Sequence, residues 1–298
     1  MKRVATISEL RDELDTARRA GRTVGLVPTM GYLHDGHLSL VRAASEECDV
    51  VVVTIFVNPL QFAPGEDLDT YPRDPEGDAE KASSAGATVL FGPSLDEMYP
   101  EGRDAVLTGV EVPALSSVME GVSRRTHFGG VCTVVAKLFN IVGPCRAYFG
   151  EKDFQQLAIV RRMAEDLSFP VQVVGCPIVR ESDGLAMSSR NVYLTADERA
   201  VAPVLQRALR LGAAAVRTGT TNADEVRTVM RAELETAPLG EVDYVEVADP
   251  RTLQPLRHAD ERSRLFAAVR FGRARLIDNV SVAEVEPLGP VPFLERPA

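Results

Sequence analysis

Short apolar segments alternate with segments of helical periodicity between residues 23 and about 180. The apolar segments have the length of buried strands, and the segments between them place apolar side chains at helical spacing. This alternation is typical of a parallel sheet with helices on its faces, so it predicts an α/β fold. The predicted strands are 23–27, 50–57, 88–91, 147–149 and 171–174. The predicted helices between them are 38–48, 75–85, 131–141 and 154–167.

The pattern changes after residue 180, where helices and strands are grouped instead of alternating. Residues 195–217 and 222–236 have helical periodicity, and the predicted strands that follow them are 242–247, 265–271 and 274–277. Grouped elements are typical of an α+β domain. We therefore expect a larger domain over residues 1–180 and a smaller α+β domain over residues 181–298.

The composition limits the classes of partner. The chain has 298 residues and a net charge of −10, whereas a protein that binds long nucleic acids normally presents a basic face. No apolar segment approaches the length of a membrane span, and residues 8–14 are polar and helical instead of forming a signal-peptide core. Four cysteines without a C-x-x-C pair predict free thiols and no metal site. We expect a cytoplasmic protein with neither a membrane nor a nucleic-acid partner.

Segment 28–38 joins a predicted strand to a predicted helix and contains His34-Asp35-Gly36-His37. Backbone N–H groups in the first turn of a helix lack intrahelical partners and carry the positive end of the helix dipole, so they bind phosphate. Gly31 and Gly36 allow close backbone approach, and the imidazoles can donate hydrogen bonds or a proton as charge builds on phosphate. The segment indicates a phosphate site; the alternative is a pair of surface histidines on a turn.

Other polar groups fall near the ends of predicted strands or between the domains. Segment 150–153 places Lys152 at a helix N-terminus, which suits a phosphate, although a solvated turn is the alternative. Segment 186–191 offers two hydroxyls and a guanidinium, either as a phosphate clamp or as an interdomain linker with a helix cap. The amides of Gln61 and Gln156 suit a hydroxylated acid, although single glutamines are usually surface residues. The basic run 123–130 adds to the site or only caps a helix.

Several motifs occur in the order found in one enzyme family. They are PTMGYLHDGHLSL, FVNPLQF, YPRD, SRRTHFGGVCTVV, YFGEKDFQQL and DGLAMSSRN. In these motifs the chain resembles the pantoate–β-alanine ligase family over nearly its whole length. His34-Asp35-Gly36-His37 also resembles the HIGH signature of the nucleotidylyltransferase superfamily, and segment 187–190 resembles its KMSKS-type loop. The resemblance implies a Rossmann-like N-terminal domain that binds nucleotide and pantoate, a smaller C-terminal domain that acts as a lid, and a homodimer.

The resemblance implies a two-step reaction with ATP, pantoate and β-alanine as substrates. ATP and pantoate give a pantoyl adenylate and pyrophosphate, and the amine of β-alanine then displaces AMP to give pantothenate. Mg²⁺ accompanies the nucleotide, with no protein ligand assigned to it. His37 is implied as proton donor, with His34 and Lys152 on the phosphates; Gln61 and Gln156 bind pantoate, and Gln61 is shared with β-alanine. The implied ATP-binding residues are Met30, Gly31, Tyr32, Leu33, His34, Asp35, Gly36, His37, Gly150, Glu151, Lys152, Asp153, Val179, Met187, Ser188, Ser189 and Arg190.

Two positions depart from the family pattern. Arg125 stands where the family commonly has proline, and Gly77-Asp78 stands where relatives offer more acidic groups near the metal. We expect neither departure to touch the core motifs.

Other functions fit part of the same pattern. Another adenylyl- or nucleotidyl-transferring enzyme would use His34, His37 and residues 188–190 equally well, and only Gln61 and Gln156 with their flanking motifs argue against it. A non-catalytic nucleotide-binding module is a second alternative, although the full set of polar groups argues against it. A tRNA aminoacylation function is suggested only by the HIGH-like signature, and the acidic charge argues against it.

Overall fold

The computed structural model describes residues 1–63, 65–66 and 68–284. Two compact units divide the chain. The first unit comprises Met1–Glu181 and Ala186–Ser189, and the second comprises Ser182–Leu185 and the residues from Arg190 onward. Residues 186–189 group with the first unit because the chain turns back there: the Met187 N–H donates to the Val179 carbonyl at 3.0 Å.

A parallel six-stranded sheet forms the centre of the first unit. Its strands are β1 (Lys2–Val4), β2 (Val24–Thr29), β3 (Val50–Ile55), β4 (Val89–Phe91), β5 (Cys145–Gly150) and β6 (Val171–Cys176). The order across the sheet is β1-β4-β3-β2-β5-β6. Strands β2, β3 and β4 are almost wholly buried, as expected for parallel strands covered on both faces.

Helices connect these strands. They are α1 (Ile7–Arg19), α2 (Asp35–Glu47), α3 (Pro75–Ser84), α4 (Leu95–Met98), α5 (Pro113–Ser116), α6 (Glu120–Ser123), α7 (His127–Val142) and α8 (Phe154–Asp166). Short 3-10 helices are Pro59–Gln61, Arg103–Ala105 and Glu151–Asp153. Two of the helix N-termini show side-chain capping: Thr6 and Glu9 form a capping box at α1, and the Asp74 carboxylate accepts from the Gly77 N–H at α3.

The strand order places a topological switch between β2 and β5. The chain leaves β2 for β3 on one side of the sheet, and it leaves β5 for β6 on the other side. In open parallel sheets, ligands bind in the crevice outside the carboxyl ends of the two strands at such a switch. The turns that follow β2 and β5 are therefore the structural place for a site.

In the second unit, helices come first and an antiparallel sheet follows them. Its helices are α9 (Ala196–Val201), α10 (Val204–Arg217) and α11 (Ala223–Leu234), and its strands are β7 (Gly240–Ala248), β8 (Arg264–Phe271) and β9 (Ala274–Ser281), which pair in that order. A 3-10 helix, Ser189–Tyr193, precedes α9. Buried side chains of α10, α11 and β8 share one core, which includes Leu209, Met230 and Val269.

The predicted fold is confirmed, with corrections to individual elements. The α/β fold with a Rossmann-like parallel sheet and a smaller α+β unit is present, and each predicted strand has a counterpart displaced by at most a few residues. The prediction of one helix over 195–217 is wrong because Pro203, which has no N–H and clashes with a preceding turn, divides α9 from α10. Strand β1 was not predicted, since it has only three residues and two of them are exposed and charged. Within the described residues, no helix is both long and apolar enough to cross a membrane.

Candidate active site

A buried carboxylate shapes the turn after β2. Asp78 of α3 is 1% exposed, and its two oxygens accept hydrogen bonds from the backbone N–H groups of Tyr32 at 2.7 Å and Leu33 at 2.6 Å. The turn requires positive φ at Gly31 (90°) and at Tyr32 (52°). A Cβ at Gly31 would lie 2.9 Å from Asp78 Oδ2, so the carboxylate and the glycine together determine the path of the chain into α2.

The two predicted histidines meet at the N-terminus of α2. His34 is the N-cap residue, and its Nδ1 accepts from the Gly36 N–H at 3.2 Å. The Nδ1 of His37 accepts from the His34 N–H at 3.4 Å, and the ring centroids lie 4.1 Å apart. Since both Nδ1 atoms are acceptors, this hydrogen-bond pattern assigns the proton of each neutral ring to Nε2. Each ring can then donate one hydrogen bond to a ligand.

Burial keeps both imidazoles neutral. It lowers the pKa of His34 to about 4, and the Lys152 ammonium lowers it further against the opposing carboxylates of Asp153 and Asp35. Burial and the neighbouring His34 lower the pKa of His37 to about 3. At neutral pH the pair therefore presents two N–H donors without positive charge.

Lys152 belongs to the 3-10 helix Glu151–Asp153, which connects β5 to α8. Its side chain is 20% exposed, and its Nζ lies 3.5 Å from Asp153 Oδ1. The charge of Lys152 acts on both histidines, so the turn after β5 lies close to the turn after β2. The sheet topology explains this proximity, because the two turns follow the strands at the switch point.

A cavity of about 420 Å³ opens beside His34 within the first unit. It is lined by Leu33, His34, Asp35, Leu38, Lys81, Glu181, Met187 and Ser188. The cavity thus joins residues of the predicted segment 30–37 to Met187 and Ser188 of the predicted segment 186–191, which lies about 150 residues further along the chain. Sequence reasoning missed Lys81 and Glu181, because Lys81 lies in a polar helix and Glu181 at the start of a loop, and neither belongs to a recognisable motif.

Four other predicted nucleotide-binding residues, Ser189, Arg190, Val179 and Met30, are not among the residues that line this cavity. Ser189 is buried in the first unit, whereas Arg190 belongs to the second unit. Val179 holds Met187 through a backbone hydrogen bond. Met30 contacts Gln61.

Gln61, predicted to bind an acid, is held in a buried polar network. The side chain is 8% exposed; its Nε2 donates to Met30 Sδ at 2.9 Å, and its Oε1 accepts from Asn58 Nδ2 at 3.3 Å. Asn58 is itself buried, accepts from the Tyr99 hydroxyl at 2.9 Å and donates to the Gly130 carbonyl at 3.1 Å. Gln61 is therefore not a surface residue, and its amide joins the turn after β2 to the turn after β3.

Segment 123–130 supports the backbone of Gln61. The Gln61 carbonyl accepts from Arg124 Nη2 at 3.4 Å and lies 3.0 Å from His127 Nδ1, and Arg124 also forms an ion pair with Glu66 at 2.6 Å. Burial lowers the pKa of His127 to about 4, so the ring is neutral at pH 7. Because a carbonyl oxygen can only accept, this contact assigns the ring proton to Nδ1, which donates to it. Arg125 is exposed.

The expectation that the departing positions do not touch the core motifs is wrong for Gly77-Asp78. Asp78 bonds directly to Tyr32 and Leu33 of the segment that contains the histidines. The physical reason is that α3 packs beside α2 and places this carboxylate against the turn. The predicted helix 131–141 also begins earlier, at His127. Gly130 lets α7 approach the Leu60 carbonyl, which a Cβ would overlap.

Gln156 lies half-buried in the first turn of α8. Its neighbour Gln155 is buried and serves the fold, since it donates to the carbonyls of Leu115 and Val118 and accepts from the Glu120 N–H. Among the described residues, no hydrogen bond joins Gln156 to Gln61. The two glutamines thus lie on different elements, Gln156 on α8 and Gln61 on the 3-10 helix after β3.

The described part of the chain contains no group of three His, Cys, Asp or Glu side chains placed to hold a metal ion. Mg²⁺ at a nucleotide site commonly takes its ligands from phosphates and water, with one or two carboxylates. The described residues therefore offer no protein cage for this ion.

Comparisons with known proteins agree on one family. A family model described as pantoate-beta-alanine ligase matches residues 2–281. The pantothenate synthetase of Sinorhizobium medicae is 52% identical over 284 residues, which cover 95% of this chain and 97% of that protein. The crystal structure of pantothenate synthetase from Thermus thermophilus has a TM-score of 0.89 at 49% identity and covers 95% of this chain and 99% of its own. The crystal structure of pantoate-beta-alanine ligase from Francisella tularensis, complexed with beta-gamma ATP and beta-alanine, has a TM-score of 0.77 at 32% identity and covers 96% of this chain and 99% of its own.

Proposed function

The chain belongs to the pantoate–β-alanine ligase family, and we propose that it forms pantothenate from pantoate, β-alanine and ATP through a pantoyl adenylate. One observation carries the nucleotide chemistry: two neutral histidines and Lys152 converge at the switch point between β2 and β5. The Francisella relative, whose structure is a complex with beta-gamma ATP and beta-alanine, supports ATP and β-alanine as substrates.

In the first step, a carboxylate oxygen of pantoate attacks the α-phosphorus of ATP. The bond to the bridging oxygen breaks, and pyrophosphate leaves. Negative charge builds on the phosphate oxygens, which the Nε2–H groups of His34 and His37 stabilise by hydrogen bonding and Lys152 by its charge. With a pKa near 3, His37 acts as a neutral hydrogen-bond donor rather than as an imidazolium acid.

In the second step, the amine of β-alanine attacks the carbonyl carbon of the adenylate. The bond from this carbon to the phosphate oxygen breaks, AMP leaves, and the nitrogen gives up a proton. A free carboxylate is a poor electrophile, so adenylation supplies the leaving group that the amide bond requires. Gln61 and Gln156 bind pantoate, and Gln61 also contacts β-alanine; they orient the reactants, and the site excludes water.

Mg²⁺ accompanies ATP in this proposal. Because the described residues offer no protein cage, we expect phosphate oxygens and water to be its main ligands. We also expect the enzyme to work as a homodimer in the cytoplasm.

Isotope exchange between pyrophosphate and ATP tests the first step. We expect exchange in the presence of pantoate and without β-alanine, because the adenylate forms reversibly before the amine is needed. Exchange that another acid supports and pantoate does not would instead assign the chain to a different adenylyl-transferring enzyme. No exchange with any acid, together with normal ATP binding, would favour a non-catalytic nucleotide-binding module.

The variant His37→Ala tests the histidine assignment. Removing one donor to the developing charge lowers the exchange rate by about 100- to 1000-fold. His258→Ala is the matched control, since His258 is exposed and belongs to the second unit. An exchange rate that is equal in both variants would remove His37 from the mechanism.

A further inference from the structure

We propose that Lys81 binds the β- or γ-phosphate of ATP. The inference rests on the proposed function, since it requires the cavity beside His34 to hold the triphosphate. Neither the sequence motifs nor the family resemblance assigns Lys81 a role. Its place in the cavity, its fixed position and the absence of a carboxylate partner among the described residues support the proposal.

The first observation is the position of the ammonium. Lys81 lies in the last turn of α3, and its Nζ donates to the Leu33 carbonyl at 3.1 Å. Leu33 directly precedes His34, and all three residues line the same cavity. The lysine is thus tied to the turn that carries the histidine pair. An ammonium with three donors keeps two for a ligand after this contact.

The second observation is the missing counter-charge. Lys81 is half-buried, yet no carboxylate oxygen among the described residues lies within 4.0 Å of its Nζ. By contrast, Lys2 pairs with Glu13 at 2.7 Å, and Lys152 lies 3.5 Å from Asp153. A partly desolvated charge without a partner is unfavourable, so an anion in the cavity would compensate it.

The third observation is that Lys81 is the charged group of this cavity that can attract a phosphate. Two carboxylates, Asp35 and Glu181, line the cavity with it, and Asp35 lies 3.9 Å from Arg42. The histidine pair is neutral, and Lys152 is not among the residues that line this cavity. Lys81 is therefore the cation that lines the cavity among the described residues. A lysine binds phosphate as a point charge.

Lys81 also acts on the histidine beside it. Its charge contributes to the low pKa of His34, which shows that the two side chains are electrostatically close. A triphosphate that met the His34 N–H at one phosphate would meet the Lys81 ammonium at a neighbouring phosphate. The lysine then discriminates between ATP and AMP, which lacks the outer phosphates.

Direct binding measurements with Lys81→Gln test the proposal without requiring turnover. Glutamine keeps a donor for the Leu33 carbonyl and removes the charge. We expect the affinity for ATP and for inorganic pyrophosphate to fall about 10- to 100-fold, as for the loss of one charged hydrogen bond, while the affinity for AMP stays within about twofold. Lys81→Arg, which keeps the charge, should recover most of the ATP affinity. Lys2→Gln removes the same charge from an exposed ion pair and serves as the control.

Three results would overturn the proposal. ATP affinity equal to that of Lys2→Gln would show that Lys81 does not contact the nucleotide. Equal losses for ATP and AMP, or no recovery in Lys81→Arg, would show that the lysine only supports the turn. The proposed function fails separately: a wild-type protein that binds ATP through Lys81 but makes no pantothenate would contradict the reaction and leave the phosphate contact intact.

Discussion

The contact between Asp78 and the turn after β2 predicts a large effect from a nearly isosteric change, Asp78→Asn. The carboxylate is 1% exposed and accepts two backbone N–H bonds, at 2.7 Å from Tyr32 and 2.6 Å from Leu33. An asparagine side chain keeps one acceptor oxygen and turns an NH₂ group toward the second backbone donor. One hydrogen bond is lost, and a buried donor faces another donor.

The size of the effect follows from these two bonds. Each hydrogen bond to a charged group contributes about 1.5–3 kcal/mol, and an unsatisfied buried donor costs about 1–3 kcal/mol. The two values describe one broken hydrogen bond, so they are not added. We expect the free energy of unfolding to fall by about 2–3 kcal/mol. At about 2–4 °C per kcal/mol for a domain of this size, the melting temperature falls by about 4–12 °C.

Urea unfolding followed by circular dichroism measures the decrease in the free energy of unfolding. Calorimetric titration with ATP measures the change in ATP affinity. Glu80→Gln is the matched control, because Glu80 is an exposed neighbour on the same helix. The turn also contains positive φ at Gly31 (90°) and Tyr32 (52°), so ATP affinity should fall in Asp78→Asn once the carboxylate no longer holds that geometry. Unfolding free energies of the two variants within about 0.5 kcal/mol of each other would refute the reasoning, because that is the scatter of surface substitutions.

Two further changes test other parts of the site. Gly130→Ala places a Cβ against the Leu60 carbonyl, so it should displace the 3-10 helix that carries Gln61 and raise the KM for pantoate more than the KM for ATP; equal changes in both constants would contradict this. The pKa values of His34 and His37, about 4 and about 3, lie below the unfolded value of 6.5, so the unfolded chain binds more protons between those pH values. The stability that the two neutral histidines contribute should therefore be fully present above pH 6.5 and be lost as pH decreases toward about 3. Thermal unfolding at each pH should show a smaller dependence on pH in His37→Asn, and an unchanged dependence would argue against a depressed pKa.

Much of the fold was predictable because local periodicity reports burial. The strands β2, β3 and β6 are apolar runs with helices between them, and the alternation required a parallel sheet. The division between α9 and α10 was missed because apolar spacing continues across Pro203, although that proline was itself the available signal.

The candidate site was predictable for the residues that directly follow a predicted strand. His34 and His37 follow β2, and Lys152 follows β5, so the carboxyl-edge rule places them together before any coordinates are known. Gln61 was found by its motif, but its burial and its link to Met30 were not visible in the sequence.

The sequence by itself determined the order of strands and helices, the positions of the chemical groups along the chain and the family to which the chain belongs. Only the tertiary structure decided which distant residues act on those groups: Asp78 holds the Tyr32 amide from 46 positions away, and Lys81 donates to the Leu33 carbonyl from 48 positions away. The physical reason is that periodicity and motifs describe neighbours in the chain. A buried carboxylate on a turn, or an ammonium beside a cavity, depends instead on how α3 packs against α2.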